Sequence, residues 1–232
     1  MNKKNIITWL VFLLAAPATL LLGSRLPGRW YYLTATLIIL ELLIPFFLSF
    51  EGRRPQAREL VVIAVMCALA VAARVAIPIP NFKAIYGIVM IAGIALGAES
   101  GFLVGAVSAL ASNFLMSQGP YTPWQMMAYG LGGMVAGFLF RKGGLPRKPL
   151  YMGIAGFACV VLLMGPLLDT CSVFFVPMHV RAQTAAAIYL AGLPVNLLQG
   201  ACTFLVMFLL GKPLLEKLER LGVKYGMMGG SL

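Results

Sequence analysis

The sequence predicts an all-α integral membrane protein in which eight helices cross the bilayer. Hydrophobic residues make up 61% of its 232 residues and charged residues only 11%, against about 25% charged residues in a typical soluble domain. Apolar runs close to the roughly 20 residues that a membrane-crossing helix needs recur along the chain. They lie at about 6–23, 30–50, 59–77, 84–98, 101–117, 123–140, 150–175 and 186–211.

The charges predict the topology. The net charge is +11, but the lysines and arginines cluster between apolar runs, so we expect a lipid bilayer around the chain and no nucleic-acid partner. With the N-terminus inside, thirteen fall on the cytoplasmic side, four on the outer side and Arg74 within a helix. Both termini are then cytoplasmic. A signal peptide is the alternative for the first run, because "APA" at Ala16–Ala18 resembles a cleavage site, but apolar residues continue beyond it.

Composition divides the chain into three parts. Residues 1–56 hold the first two helices as a membrane hairpin with a charged cytoplasmic loop, and residues 57–213 hold six helices richer in Gly and Ala, above all in Ile91–Ser112. Residues 214–232 form a cytoplasmic C-terminal tail. Small residues let helix backbones approach closely within a membrane. The six helices are therefore expected to form one compact bundle, to which the hairpin is an accessory.

Alanines recur every four residues on the first helix of this bundle, at Ala64, Ala68, Ala72 and Ala76. Such a flat stripe serves close helix packing. Two interpretations stay open, ordinary packing inside the bundle or a docking surface for the helices of another subunit.

The connection between the fifth and sixth predicted crossings, Gln118–Gln125, is rich in polar, aromatic and proline residues. Pro123 suits the first turn of a helix and Thr122 its N-cap. Tyr121 and Trp124 fit an interfacial aromatic belt. A belt does not account for Gln118 and Gln125, nor for Asn113 one turn below, and such groups suit a mostly apolar small-molecule pocket. Belt and pocket both stay open.

Further polar residues lie at the predicted outer ends of the other helices. Polar and ionisable groups at membrane depth are costly unless they are paired or face a cavity. Pairing within the structure would explain them, and convergence on a binding site is the alternative. They are Arg74, Asp169, His179, Arg181, Asn196 and Gln199. In the hairpin, Glu41 lies at mid-membrane, where we expect a Lys, Arg or backbone partner.

The motifs that the sequence lacks narrow its function. It contains no GxxxxGK[ST] motif for ATP and a single histidine, too few for an HExxH-type metal site. The four cysteines show no CxxC spacing and are expected to be buried thiols. We therefore expect no catalytic residues, metal or cofactor.

With six Ala/Gly-rich helices, an AxxxA first helix and a polar outer connection, the chain resembles the substrate-capture (S) component of energy-coupling factor (ECF) transporters, the bacterial vitamin importers. The resemblance covers about residues 57–213. Its most specific pieces are "AVMCA" (Ala64–Ala68), "QGPYTPWQMMAYGLGGMVAGFLF" (Gln118–Phe140) and "GLPVNLLQG" (Gly192–Gly200). The chain departs from the family pattern at Tyr121, where the subgroup has tryptophan, and in its two additional N-terminal helices.

The resemblance implies a subunit of the bacterial cell membrane that binds a vitamin-sized ligand at its outer face. A transmembrane T component would dock on Ala64, Ala68 and Ala72, and two ABC-type ATPases would supply the energy. The ligand site would be built from the polar residues named above. The subgroup suggests a cobalamin-type corrinoid or a precursor, with riboflavin and queuosine-type bases as alternatives. A scaffold subunit without substrate and a carrier not coupled to ATP are the rival functions.

Overall fold

The computed structural model describes residues 57–76, 79–119, 121–141, 144–174 and 182–224, together with isolated positions before residue 57. This part of the chain is helical, without strands. The helices are α1 (Ala57–Ala76), α2 (Ile85–Leu96), α3 (Ala98–Met116), α4 (Thr122–Leu139), α5 (Pro149–Cys159), α6 (Gly165–Phe174) and α7 (Ala182–Lys224). A π-helical stretch, Val160–Met164, joins α5 to α6. The prediction of an all-α bundle is confirmed.

Four of the described helices are long and apolar enough to cross a membrane: Ala57–Ala76, Ala98–Met116, Pro149–Val173 and Ala182–Lys224. The helix Ile85–Leu96 is apolar but shorter. These helices make the chain a multi-pass membrane protein. The total of eight crossings and the cytoplasmic termini stay predictions.

Helix α2 lies at the centre of the bundle. Ten consecutive residues, Ile85–Ile94, are buried, and the helix contacts α1, α3, α4 and α7. A helix that is hydrophobic on all sides is stable where other helices surround it. Helices α1, α3, α4 and α7 therefore pack around α2.

Helices α3 and α4 approach each other more closely than side chains would allow. A Cβ atom added at Gly105 would collide with the backbone of Tyr129 and Gly130, and one added at Gly133 would collide with the backbone of Gly101. Small residues replace the missing hydrophobic driving force in a membrane by letting backbones touch. These contacts join the first half of α3 to the middle of α4. The two helices are thereby held side by side, which brings the end of α3 near the start of α4, where the polar side chains lie.

The last helix is longer than predicted. The sequence predicts a crossing at 186–211 and a tail from 214, whereas α7 continues through Pro194 and Pro213 to Lys224. Leu215 and Leu218 are buried beyond the second proline, so packing against the core stabilises the helix despite the lost hydrogen bond. Residues 214–224 thus extend the bundle.

The N-terminal hairpin and its signal-peptide alternative lie mostly outside the described residues. Among the isolated positions, Thr19 Oγ1 donates a hydrogen bond to Glu41 Oε1 at 2.6 Å. Among the described residues, a threonine hydroxyl is thus a partner of Glu41, and the expected Lys, Arg or backbone partner stays a prediction.

Candidate functional site

The charged side chain of Arg74 is the centre of a buried polar network. It occupies the last turn of α1, on the inward face with Ile63, Cys67 and Ala70, and is 9% exposed. Its Nη1 donates to Ser112 Oγ at 2.5 Å and to Asn113 Oδ1 at 2.9 Å. Its Nη2 donates to Oε1 of Gln125 at 3.3 Å. One arginine thus joins α1 to the end of α3 and the start of α4.

Asn113 connects this arginine to the Gln118–Gln125 connection. Its side chain is 1% exposed and donates to Thr122 Oγ1 and to Gln125 Oε1, both at 2.9 Å. The Thr122 hydroxyl donates in turn to Gln118 Oε1 at 2.9 Å. We call Arg74, Ser112, Asn113, Gln118, Thr122 and Gln125 the Arg74 network.

The N-cap prediction for Thr122 is wrong. Helix α4 begins at Thr122 itself, and the preceding Tyr121 makes no side-chain cap bond. Asn113, Gln118 and the backbone N–H of Gly119 engage the threonine hydroxyl instead, which leaves it directed towards α3. Pro123 does lie in the first turn, as predicted.

Aromatic side chains line the same end of the bundle. The Cζ of Arg74 lies 5.6 Å from the ring centroid of Tyr129, and Tyr86 meets that ring edge-on with centroids 4.7 Å apart. Trp124 is only 7% exposed, so it packs within the protein and not as an open interfacial side chain. Tyr121 is half-buried and donates to the carbonyl of Ser117 at 2.9 Å, closing its own turn.

Three residues of this site were not predicted from the sequence. Ser112 directly precedes Asn113, and Tyr129 follows Gln125 by four residues, one turn along the same face of α4. These two spacings could have identified Ser112 and Tyr129 from the sequence. Tyr86 comes from α2, and no local pattern marks it.

The remaining predicted site residues form separate contacts. Asn196 Nδ2 donates to Asp169 Oδ2 at 2.7 Å, which joins α7 to α6. Gln199 holds the backbone of Lys83, accepting from its N–H at 3.1 Å and donating to its C=O at 2.6 Å. Among the described residues, Asp169, Asn196 and Gln199 make no hydrogen bond to the Arg74 network. His179, with Pro120 and Arg181, lies outside the described residues.

Comparison with known families decides what kind of protein carries this site. The model of one family, described as ECF-type riboflavin transporter, S component, matches residues 55–217, well over half of the chain. The chain belongs to this family. No curated protein and no solved structure matches the chain significantly. The protein is therefore an ECF S component, a transporter subunit rather than an enzyme, as the resemblance implied.

In this S component the alanine stripe lies on the outer surface of α1. Ala64, Ala68 and Ala72 are exposed, as are their apolar neighbours Val61 and Val65, at 62% and 59%. The stripe therefore does not pack inside the bundle. S components work with a T component and ATPases, and an exposed flat stripe is suited to contact with a partner helix.

The cysteines of the S component are packed as small apolar side chains. All four cysteines are buried free thiols, as expected for small hydrophobic side chains. Among the described residues, no cluster of three or more His, Cys, Asp or Glu side chains is placed to hold a metal ion.

Proposed function

We propose that this S component captures a flavin of the riboflavin type at the end of the bundle that holds the Arg74 network. The observation that carries the proposal is the family match over residues 55–217. Riboflavin, a corrinoid and a queuosine-type base were the candidate ligands from the sequence. The family match supports riboflavin, and no observation favours either of the other two.

The chemistry of this end of the bundle is compatible with a flavin. A flavin is a flat ring system with one apolar half and one half rich in carbonyl and ring-nitrogen groups. Small-molecule sites combine apolar and aromatic walls with a few polar groups that fix orientation. Trp124, Tyr86 and Tyr129 supply aromatic surface, while Asn113 and Gln125 supply amides beside them.

Fluorescence titration tests the ligand directly. Detergent-purified protein is titrated with riboflavin, with a cobalamin and with queuine, and flavin binding is followed by quenching of flavin fluorescence. We expect saturable binding of riboflavin alone. Gln125→Ala removes a half-buried amide that accepts hydrogen bonds from Arg74 and Asn113, and should weaken binding about 10–100-fold.

Gln183→Ala is the matched control, because Gln183 is exposed at the start of α7. It should bind riboflavin like the parent. A parent protein that binds the cobalamin or queuine and ignores riboflavin would refute the flavin proposal. If Gln125→Ala binds riboflavin with the affinity of the parent, the ligand does not bind at the Arg74 network.

We further propose that a T component docks on Ala64, Ala68 and Ala72 and that two ABC-type ATPases bound to it drive import. Leucine at Ala64 and Ala68 adds bulk where a partner helix approaches closely. The double variant should retain riboflavin binding but lose uptake and co-purification of the T component.

Ala187 and Ala191 provide the matched control for docking. They have the same spacing and are also exposed, but lie on α7. Leucine at both positions should leave assembly intact. If the α1 double variant assembles and transports normally, its stripe faces lipid and the T component docks elsewhere.

A further inference from the structure

Arg74 carries a buried positive charge that no acid neutralises within the described residues. Its hydrogen-bond acceptors, on Ser112, Asn113 and Gln125, are all neutral oxygens. Arginine stays protonated in proteins, and an ionised group at membrane depth is costly and usually functional. The Tyr129 ring stabilises the cation, but it contributes no opposite charge. Within the described residues, the positive charge of Arg74 therefore lacks a counter-ion.

The guanidinium also has unused donors. It has five N–H groups, of which the described residues engage three, both on Nη1 and one on Nη2. The Nε–H and the second Nη2–H have no partner among those residues. Nε and Nη2 share the edge of the plane that recognises paired acceptors in a bidentate manner. The bond from Nη2 to Gln125, at 3.3 Å, is beyond the usual 2.7–3.2 Å range and is the easiest to exchange.

The Nε–Nη2 edge is held in place before any ligand arrives. Ser112 and Asn113 occupy the opposite side of the guanidinium, and Tyr129 lies near its face. With 9% of the residue exposed, rotation of the group would break bonds that water cannot fully replace. A fixed donor pair reduces the ordering cost of binding.

We propose that the Nε–Nη2 edge of Arg74 binds a pair of adjacent hydrogen-bond acceptors on the ligand and sets its orientation. This inference rests on the proposed function, since in a flavin such pairs occur on the pyrimidinedione half, at N1 with the C2 carbonyl and at N5 with the C4 carbonyl. Donation to either pair places the charge of Arg74 beside two electronegative acceptor atoms, a ring nitrogen and a carbonyl oxygen. The apolar half of the flavin then points away from the arginine.

Flavin analogues that lack one acceptor test the proposal. Riboflavin, 1-deazariboflavin and 5-deazariboflavin are titrated against the parent protein, Arg74→Met and Arg74→Lys. We expect the parent to bind one of the two deaza analogues about 10–100-fold more weakly than riboflavin, the effect of losing one charged hydrogen bond. The affected analogue identifies the edge that Arg74 binds. Arg74→Met should bind all three ligands weakly and equally.

Arg74→Lys keeps the charge but loses the planar pair of donors, so it should bind all three more tightly than Arg74→Met and still not distinguish them. Thermal unfolding in detergent shows whether Arg74→Met is folded. If it is not, the comparison of the parent with Arg74→Lys tests the proposal. Arg147→Met is the matched control, because Arg147 lies beyond the far end of α4. It should discriminate like the parent.

Two results would overturn the role of Arg74. One is a parent protein that binds riboflavin and both analogues equally, and the other is an Arg74 variant that discriminates as the parent does. Failure of the proposed function is a different result, since the parent would then bind none of the three flavins, and the inference would fall with it.

Discussion

The Arg74 network and the Asp169–Asn196 pair each contain one charged side chain near a helix end. They differ in how deeply that charge is buried and in how many hydrogen bonds stabilise it. Arg74 is 9% exposed and donates three hydrogen bonds to residues of two other helices. Asp169 is half-buried and, among the described residues, accepts a hydrogen bond from Asn196. A deeply buried charge needs several partners, whereas a partly exposed one does not. The comparison indicates a rigid network at Arg74 and a weaker, separable pair at Asp169.

Replacing the asparagine of each group by leucine should give the largest difference in stability between the two groups. Asn113→Leu removes an acceptor from Arg74 and the donor to Thr122 and Gln125. Each buried group left unsatisfied costs about 1–3 kcal/mol. We expect a large fall in the melting temperature in detergent and loss of flavin binding.

Asn196→Leu is the counterpart, because this asparagine is half-buried and donates a single bond to Asp169. Its melting temperature should fall by clearly less than that of Asn113→Leu. Equal losses in the two variants would show that the number of bonds and the depth of burial do not distinguish the two groups.

Neutralising Asp169 should have a smaller effect still. No cation lies within ion-pair distance of Asp169 among the described residues, and Asn196 is its hydrogen-bond donor. Asp169→Asn keeps an acceptor oxygen while removing a charge that the membrane disfavours. The melting temperature should stay constant or rise. A clear fall would mean that the carboxylate charge itself has a partner or a ligand.

An exposed ion pair beyond the other end of α4 shows how little an exposed polar contact is expected to change the melting temperature. Arg147 Nη1 lies 2.7 Å from Glu219 Oε1, with side chains 38% and 34% exposed. Such pairs contribute about 0–1 kcal/mol. Glu219→Gln should therefore lower the melting temperature much less than either asparagine variant, and the small difference should shrink further at high salt. A loss as large as that of Asn113→Leu would invalidate the ranking by burial.

Local patterns were enough to predict several features of the fold and the site. The helices at 59–77 and 101–117 follow from apolar runs, and the structure has them at Ala57–Ala76 and Ala98–Met116. The recurrence of alanine every four residues on α1 was visible in the sequence, but the structure was needed to show that this stripe faces outward and Arg74 inward. The polar connection was recognised because its composition contrasts with the apolar runs on either side. Whether these residues bind a ligand stays a prediction.

Other features needed contacts that no spacing shows. Asn113 and Asn196 are both asparagines at predicted outer helix ends, and the sequence treats them alike, yet the first is a buried centre of bonds and the second a half-buried partner of Asp169. The Thr122 hydroxyl was free, on sequence grounds, to cap α4. Only the approach of Asn113 assigns it to α3.

The sequence by itself determined the membrane class, most helix positions and the face of α1 on which alanines recur, because hydropathy and the helical period are local properties. The tertiary structure alone decided which polar groups meet. Arg74 reaches both Ser112 and Gln125, residues 38 and 51 positions away, because α1 packs on α3 and glycine contacts bring α3 and α4 together. Partner choice over such separations depends on backbone packing in three dimensions, which residue spacing does not encode.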